Sequence, residues 1–339
     1  MKILCGLTSY VDTVLQITKT LNAMGHSVIS FNVDRFVDTD ECNWLKRLLH
    51  KSGISHWADS FEKRRLAKLR QILLEEKPDV VLWINPGYEQ YVNDIDSSIS
   101  QRILCVDGIK NDRSRYISSF KYADKVIVFE PGDEVIAKED LPELDVEYFP
   151  LGYGIAYENV EARKKEYDVA FIGRIAGDRA RLLEKVSKYV RENGLKAKLC
   201  GPLKTKGINV VRRPILMWRY PHLYKVATDT VLSPDEVADI YSRSKICLNL
   251  GTPGHYGLNP RTFDIMMSGT MELMNVKDDY SGLVEVGEHL EVFVDADDCI
   301  SKLDKYLKDE GLREAITKKG KEHVENRYSV RISLQRILS

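Results

Sequence analysis

Short apolar runs alternate along the chain with longer stretches whose apolar positions recur at helical spacing. In the first half the strand-like runs are 2–7, 27–33, 79–84, 102–106 and 125–129, with helical patterns at 11–24 and 60–76. The second helix is amphipathic: Phe61, Leu66, Leu69, Ile72 and Leu73 oppose a basic face of Lys63, Arg64, Arg65, Lys68 and Arg70, read as solvated. The segment 150–168, PLGYGIAYENVEARKKEYD, breaks the rhythm with proline, glycines and a charge cluster, which places an interdomain linker there. A second series follows, with strands at 169–172, 197–200, 246–250 and 290–294. Its helices are 177–193, 233–243, 297–308 and a last one from about 310. Between 202 and 232 the pattern is irregular, and RRPILMWRYPHLY is an insertion with no assigned element. Strands alternating with helices predict parallel α/β sheets. Two doubly wound domains facing each other would leave a cleft at the carboxyl ends of both sheets, where ligands bind in such folds.

Length agrees with two domains, since 339 residues exceed what one core usually organises. An apolar content of 43% and a charged content of 30% are those of an ordinary globular chain. The longest apolar runs, such as 80–84 and 169–172, fall far short of the ~20 residues that span a bilayer. The opening MKILCGL is too short for a signal peptide and reads as a first strand, so a cytoplasmic protein without a membrane span is expected. The six cysteines are scattered without a C-x-x-C pair, which argues against a zinc site or a disulfide framework. Net charge divides unevenly. Residues 1–150 hold 19 Lys/Arg against 24 Asp/Glu, and residues 151–339 hold 31 against 27. A basic back half suits a small anionic ligand, and an acidic front half speaks against nucleic acid as its partner.

The densest chemistry lies in 257–274, GLNPRTFDIMMSGTMELM. Asn259 suits an N-cap, Pro260 the first helical position and Gly269 a left-handed stop, giving a short helix followed by a buried strand. Arg261 and Asp264, three apart, share a face, while Phe263, Met266 and Met267 point inward. A guanidinium at a helix N-terminus attracts phosphate, and a carboxylate one turn on can accept from sugar hydroxyls. An ordinary αβ unit with a surface Arg–Asp pair fits the same residues. A second stretch, VAFIG followed by Arg174 and Arg179, ends a strand on Gly173 and puts two arginines beside a helix start. Gly201-Pro202 ends another strand and could present backbone to a nucleobase. The donor set is completed by the loop residues Tyr256, Gly257, Leu258 and Asn259. His255 is placed to touch substrate or leaving phosphate, and Asp107, ending the LCVD strand, to contact an acceptor. There is neither a third glycine after Gly152-x-Gly154 nor a Walker sequence. The paired aspartates at 38/40, 94/96 and 295/297 lack converging hard oxygens, and no metal is expected.

The runs LSPDEVADIYSRSKICLNLG…GLNPRTFDIMMSGTMELMN, EVFVDADD and YLKDEGLREAITKKGKEHVENRYSVRISL resemble the CgeB-like spore-maturation glycosyltransferases. These belong to the group 1 retaining glycosyltransferases of GT-B fold. The resemblance covers about 165–335 and is weaker over 1–150. It implies an N-terminal acceptor-binding Rossmann-like domain (1–155), a C-terminal donor-binding one (165–322), and a final helix (323–339) crossing back to the first. It further implies metal-independent transfer from a nucleotide diphosphate-sugar, a UDP-sugar before others, with no cofactor. By position, Arg174 and Arg261 are the diphosphate contacts. Asp264 stands where the family has a ribose-binding glutamate, Tyr256 where it has a carboxylate, and Glu272 within a normally apolar or hydroxyl run. No covalent nucleophile stands out, so front-face displacement is implied. The acceptor is not identified by the sequence; a glycan, a protein and a small molecule all fit, with DNA ranked below these. Alternatives are a nucleotide-sugar epimerase of the same fold and a catalytically silent sugar-nucleotide-binding protein.

Overall fold

The computed structural model describes residues 1–7, 11–32, 55–85, 89–161, 163–203, 213–251, 257–277 and 279–339. The chain forms two compact units, Met1–Pro150 with Ser333–Ser339, and Leu151–Ile332. Among the described residues no helix is long and apolar enough to cross a membrane.

The first unit is built on six parallel strands: β1 (Lys2–Leu7), β2 (Ser27–Asn32), β3 (Val80–Ile84), β4 (Ser100–Cys105), β5 (Lys125–Val128) and β6 (Asp145–Tyr148). Their order is β2-β1-β3-β4-β5-β6, with Leu4 opposite Ile29 on one side and Val81 on the other. All five residues of β3 are buried, as expected of a central parallel strand covered on both faces. The core joins Leu4, Val81, Trp83, Ile103 and Val126 to Leu69 of the helix Ser55–Glu76 and Phe120 of the helix Arg113–Phe120. Gly6 is required here, because a Cβ would lie 2.1 Å from the Trp83 ring.

The second unit repeats the scheme with β7 (Tyr167–Ile172), β8 (Ala197–Cys200), β9 (Ala227–Thr228), β10 (Ser244–Asn249), β11 (Met271–Asn275) and β12 (Glu291–Phe293), ordered β12-β11-β10-β7-β8-β9. Leu183, Val186 and Val190 of the helix Gly177–Glu192 pack on Val169, Phe171, Leu199, Ile246, Leu248 and Leu273. Each such side chain contributes roughly 1.5–3 kcal/mol by leaving water.

Several elements differ from the sequence expectation. The short edge strands β6 and β9 and the helices Arg113–Phe120 and Asp133–Asp140 carry too little periodicity to read. The insertion folds as two short helices, Arg213–Arg219 and Pro221–Val226, divided where Pro221 starts the second. The last helix is two, Glu310–Glu325 and Val330–Leu338. The segment expected as a linker is packed: Leu151, Tyr153 and Tyr157 are buried in the second unit. Gly152, at φ +77°, serves close approach there. A Cβ would lie 2.4 Å from the Tyr328 carbonyl oxygen, and Tyr153 N–H donates to that carbonyl at 3.0 Å. Ser333 and Arg336 of the final helix bond to the Pro150 carbonyl and Glu147.

Candidate anion site at the carboxyl edge of the second sheet

In the second sheet the chain leaves β7 toward β8 on one side and leaves β10 toward β11 on the other. Neighbouring strands whose connections diverge leave a crevice at their carboxyl ends. Gly173 follows β7, Gly201 follows β8, and Leu250-Gly251 follow β10. Gly201 has no room for a side chain, since a Cβ would lie 1.8 Å from the Gly173 carbonyl oxygen. Gly173 N–H donates to Cys200 O at 3.0 Å, tying the turn after β7 to the end of β8, and Gly201 N–H donates to Thr228 O of β9 at 3.1 Å. Over this floor lies Arg261, whose Nη2 is 3.5 Å from where a Gly173 Cβ would stand.

Three guanidinium groups meet here. Arg174, exposed at the end of β7, has no side-chain partner among the described residues. Arg261 donates to Asn249 Oδ1 at 3.3 Å and has no carboxylate within ion-pairing distance among them. Arg179, in the first turn of the helix Gly177–Glu192, is anchored instead. It donates to Leu250 O at 2.6 Å and Gly251 O at 3.3 Å, so it shapes the edge as much as it charges it. Burial, followed by repulsion from Arg261 and Arg174, holds the Arg179 pKa below its usual value. Cations crowded this closely make a field that favours an anion. The helices Gly177–Glu192 and Pro260–Met267 both begin there without a side-chain cap, so the positive ends of their dipoles meet this edge, although in the second Pro260 carries no N–H and Thr262 N–H donates to Asn259 O at 3.0 Å.

Asn259 occupies the N-cap position of the second helix but does not cap it. Its amide pairs with Asn249 instead, Nδ2 donating to Oδ1 at 3.1 Å and Oδ1 accepting at 3.2 Å. Asn249 also donates to Glu272 Oε1 at 2.7 Å and to Thr262 Oγ1 at 3.1 Å. This network ties β10, β11 and the helix under Arg261. Gly257 and Leu258 are buried beside it, and Gly269 ends the helix at φ +64° as its sequence predicts. Phe263, Met266 and Met267 point into the core.

Asp264 is engaged differently from the expectation. One oxygen accepts from Gly154 N–H at 3.0 Å, fastening the packed segment after Pro150 to the helix. The other has no partner among the described residues and remains available to a hydroxyl. Burial raises its pKa to about 7, against the opposing pull of the Gly154 N–H and Arg261. Glu272 is raised to about 7 by the same cause.

Beside Arg174 opens a cavity of about 390 Å³ lined by Arg174, Ala176, Pro202, Leu203, Leu216, Tyr220 and Tyr224. Its size and apolar walls suit a flat heterocycle. The unassigned insertion supplies one wall, which pattern reading could not find because its two helices are each under two turns. Asn249 and Glu272 had a legible signal, being polar residues inside apolar runs. Pro202, next to Gly201 in the chain, is among the lining residues.

Asp107 belongs to the first unit, at the carboxyl end of β4, where it accepts from Tyr116 Oη at 3.0 Å. His255 and Tyr256 lie outside the described residues, as does the 38/40 aspartate pair. Of the other pairs, Asp295 caps the helix Ala296–Lys308, and Asp94 binds Arg70. Among the described residues no group of three His, Cys, Asp or Glu is placed to hold a metal ion.

No protein of curated function matches the sequence. Among solved structures, sucrose-phosphate synthase from Thermosynechococcus elongatus superposes at a TM-score of 0.63 and 15% identity, covering 100% of this chain and 98% of that one. Anabaena HepE in complex with UDP-glucose gives 0.64 and 14%, over 100% and 98%. A protein titled as a putative UDP-N-acetylglucosamine 2-epimerase from Listeria monocytogenes gives 0.60 and 11%, over 99% and 95%. At such identities the likeness is one of fold. Residues 178–339 match the family described as glycosyl transferase-like, and the whole chain has the two-sheet α/β fold of the GT-B glycosyltransferases.

Proposed function

We propose that the protein is a glycosyltransferase taking its sugar from a nucleoside diphosphate-sugar bound at the carboxyl edge of the second sheet. The observation that carries this is the Arg261 guanidinium laid over Gly173, with Arg174 and Arg179 in the same field. In this reading Arg261 and Arg174 hold the diphosphate, assisted by the positive dipole ends of the two helices that begin beside it. The base enters the cavity beside Pro202, Tyr220 and Tyr224, and the free oxygen of Asp264 takes a ribose hydroxyl. Uridine is the favoured base, by analogy with the UDP-glucose complex of HepE.

As the glycosidic bond to the diphosphate breaks, negative charge grows on the leaving oxygen. Fixed guanidinium groups stabilise that charge more than the ground state, which is the protein's main contribution. The acceptor hydroxyl attacks the anomeric carbon from the same face as the diphosphate leaves, passing its proton to the departing diphosphate oxygen, with retention, and neither a covalent nucleophile nor a metal is assigned a step. Asp107 and His255 are the proposed contacts to acceptor and leaving group. We place the chain with the CgeB-like enzymes on the motifs of 165–335, and 1–155 as the acceptor-binding part.

Calorimetry with UDP-, GDP-, ADP- and dTDP-sugars tests the donor, with UDP-sugars expected to bind tightest. The anomeric configuration of the product by NMR tests retention, and unchanged rate in EDTA tests metal independence. A changed sugar formed without any acceptor would replace transfer by epimerisation, and no binding of any sugar nucleotide would refute the site.

A further inference from the structure

Glu272 is a fully buried carboxyl in the interior of β11, a place where apolar packing would be cheaper. Its Oε1 accepts from Asn249 Nδ2 at 2.7 Å and from Thr262 Oγ1 at 3.1 Å, while Oε2 is buried without a partner. An amide group is nearly symmetric in shape, so packing alone would let Asn249 sit either way round. Flipped, its N–H would face the N–H of Arg261, and two donors would oppose each other. Because Oε1 already accepts from both Asn249 and Thr262, a proton on Glu272 belongs on the unpartnered Oε2, so toward Asn249 the carboxyl accepts and disfavours the flip. The Asn249 oxygen is thereby turned to Arg261 Nη1 at 3.3 Å and to Asn259 Nδ2 at 3.1 Å.

We propose that Glu272 is a positioning residue for the anion site: it sets the orientation of the Asn249 amide, which in turn holds the Arg261 guanidinium over Gly173. The inference rests on the reading of Arg261 as a diphosphate contact.

A double-mutant cycle read by calorimetry with UDP separates this role from plain support of the fold. Glu272→Met keeps the volume and removes the acceptor, and weakens UDP binding about tenfold. Glu272→Gln, able to accept through its carbonyl, restores binding to within about threefold of the natural protein. In an Arg261→Ala background Glu272→Met has no further effect on affinity. Should Glu272→Met fail to fold, Glu272→Asp, which draws the carboxyl back by one methylene, enters the same cycle, with a smaller loss that also vanishes without Arg261. Affinity unchanged in a folded Glu272 variant, or losses that multiply in the double variant, overturns the positioning role. If Arg261→Ala weakens binding while the Glu272 variants do not, the donor-site reading stands and only this inference falls. If the natural protein binds no UDP, both fall.

Discussion

Truncating Arg261 to alanine removes the one guanidinium that lies over Gly173 without an ion-pair partner among the described residues. The fold is expected to survive. Asn249 Oδ1 keeps the Asn259 Nδ2 donor at 3.1 Å, so no buried acceptor is orphaned. The Asp264 and Glu272 carboxyls, both drawn down by Arg261 and both already raised to about 7, respond by holding their protons more firmly. Binding is where the loss falls. One charge-assisted hydrogen bond to a phosphate is worth about 1.5–3 kcal/mol, which is roughly a tenfold to hundredfold rise in Kd for UDP. Arg261→Lys keeps the charge and loses the fork geometry, and belongs between the two. Calorimetry with UDP at about 0.15 M salt, alongside a melting curve for each variant, measures both quantities. A Kd for the alanine variant within about twofold of the natural protein, at an unchanged melting temperature, would refute the convergence of cations on a diphosphate.

Other consequences follow from the same geometry. Gly201→Ala drives a methyl to within 1.8 Å of the Gly173 carbonyl oxygen, so the turns must part and strain the Gly173 N–H bond to Cys200 O at 3.0 Å. A loss of about 1–3 kcal/mol in urea unfolding is expected, with UDP affinity falling too, and a neutral substitution would show the turns to be looser than described. For Glu272, the unfolded chain releases its proton near 4.5 and the folded chain near 7. Between those values the folded state binds more protons, so this group lowers stability as pH rises, by up to about 3 kcal/mol. Glu272→Gln should therefore be more stable relative to the natural protein at pH 8 than at pH 5, and a pH-independent difference in melting temperature would contradict the burial argument. Leu216→Trp, filling the cavity beside Arg174, should weaken UDP about tenfold while leaving inorganic pyrophosphate unaffected; equal losses for both would move the base elsewhere.

Periodicity sufficed for the parallel α/β architecture, because a strand covered on both faces must be apolar throughout and its crossover helix apolar on one side. β1, β8 and the helices near 177 and 297 fall where those patterns place them. The placement of Arg174 just past β7 and of Arg261 and Asp264 on one short helix also follows from local spacing around Gly173, Pro260 and Gly269, although their roles do not. What lay beyond reach depended on residues far apart in the chain. That Asn259 binds Asn249 instead of capping its helix is decided by β10 running beneath it, and that Gly154 occupies an Asp264 oxygen by a segment 110 positions away. The glycines at 152 and 154 helped mark the segment 150–168 as a linker, yet Gly152 is there because Tyr328 leaves no space for a Cβ. Composition along a chain reports which surfaces want burial or water. Only packing in three dimensions decides which polar atom finds which partner, and hence where Arg261 is aimed.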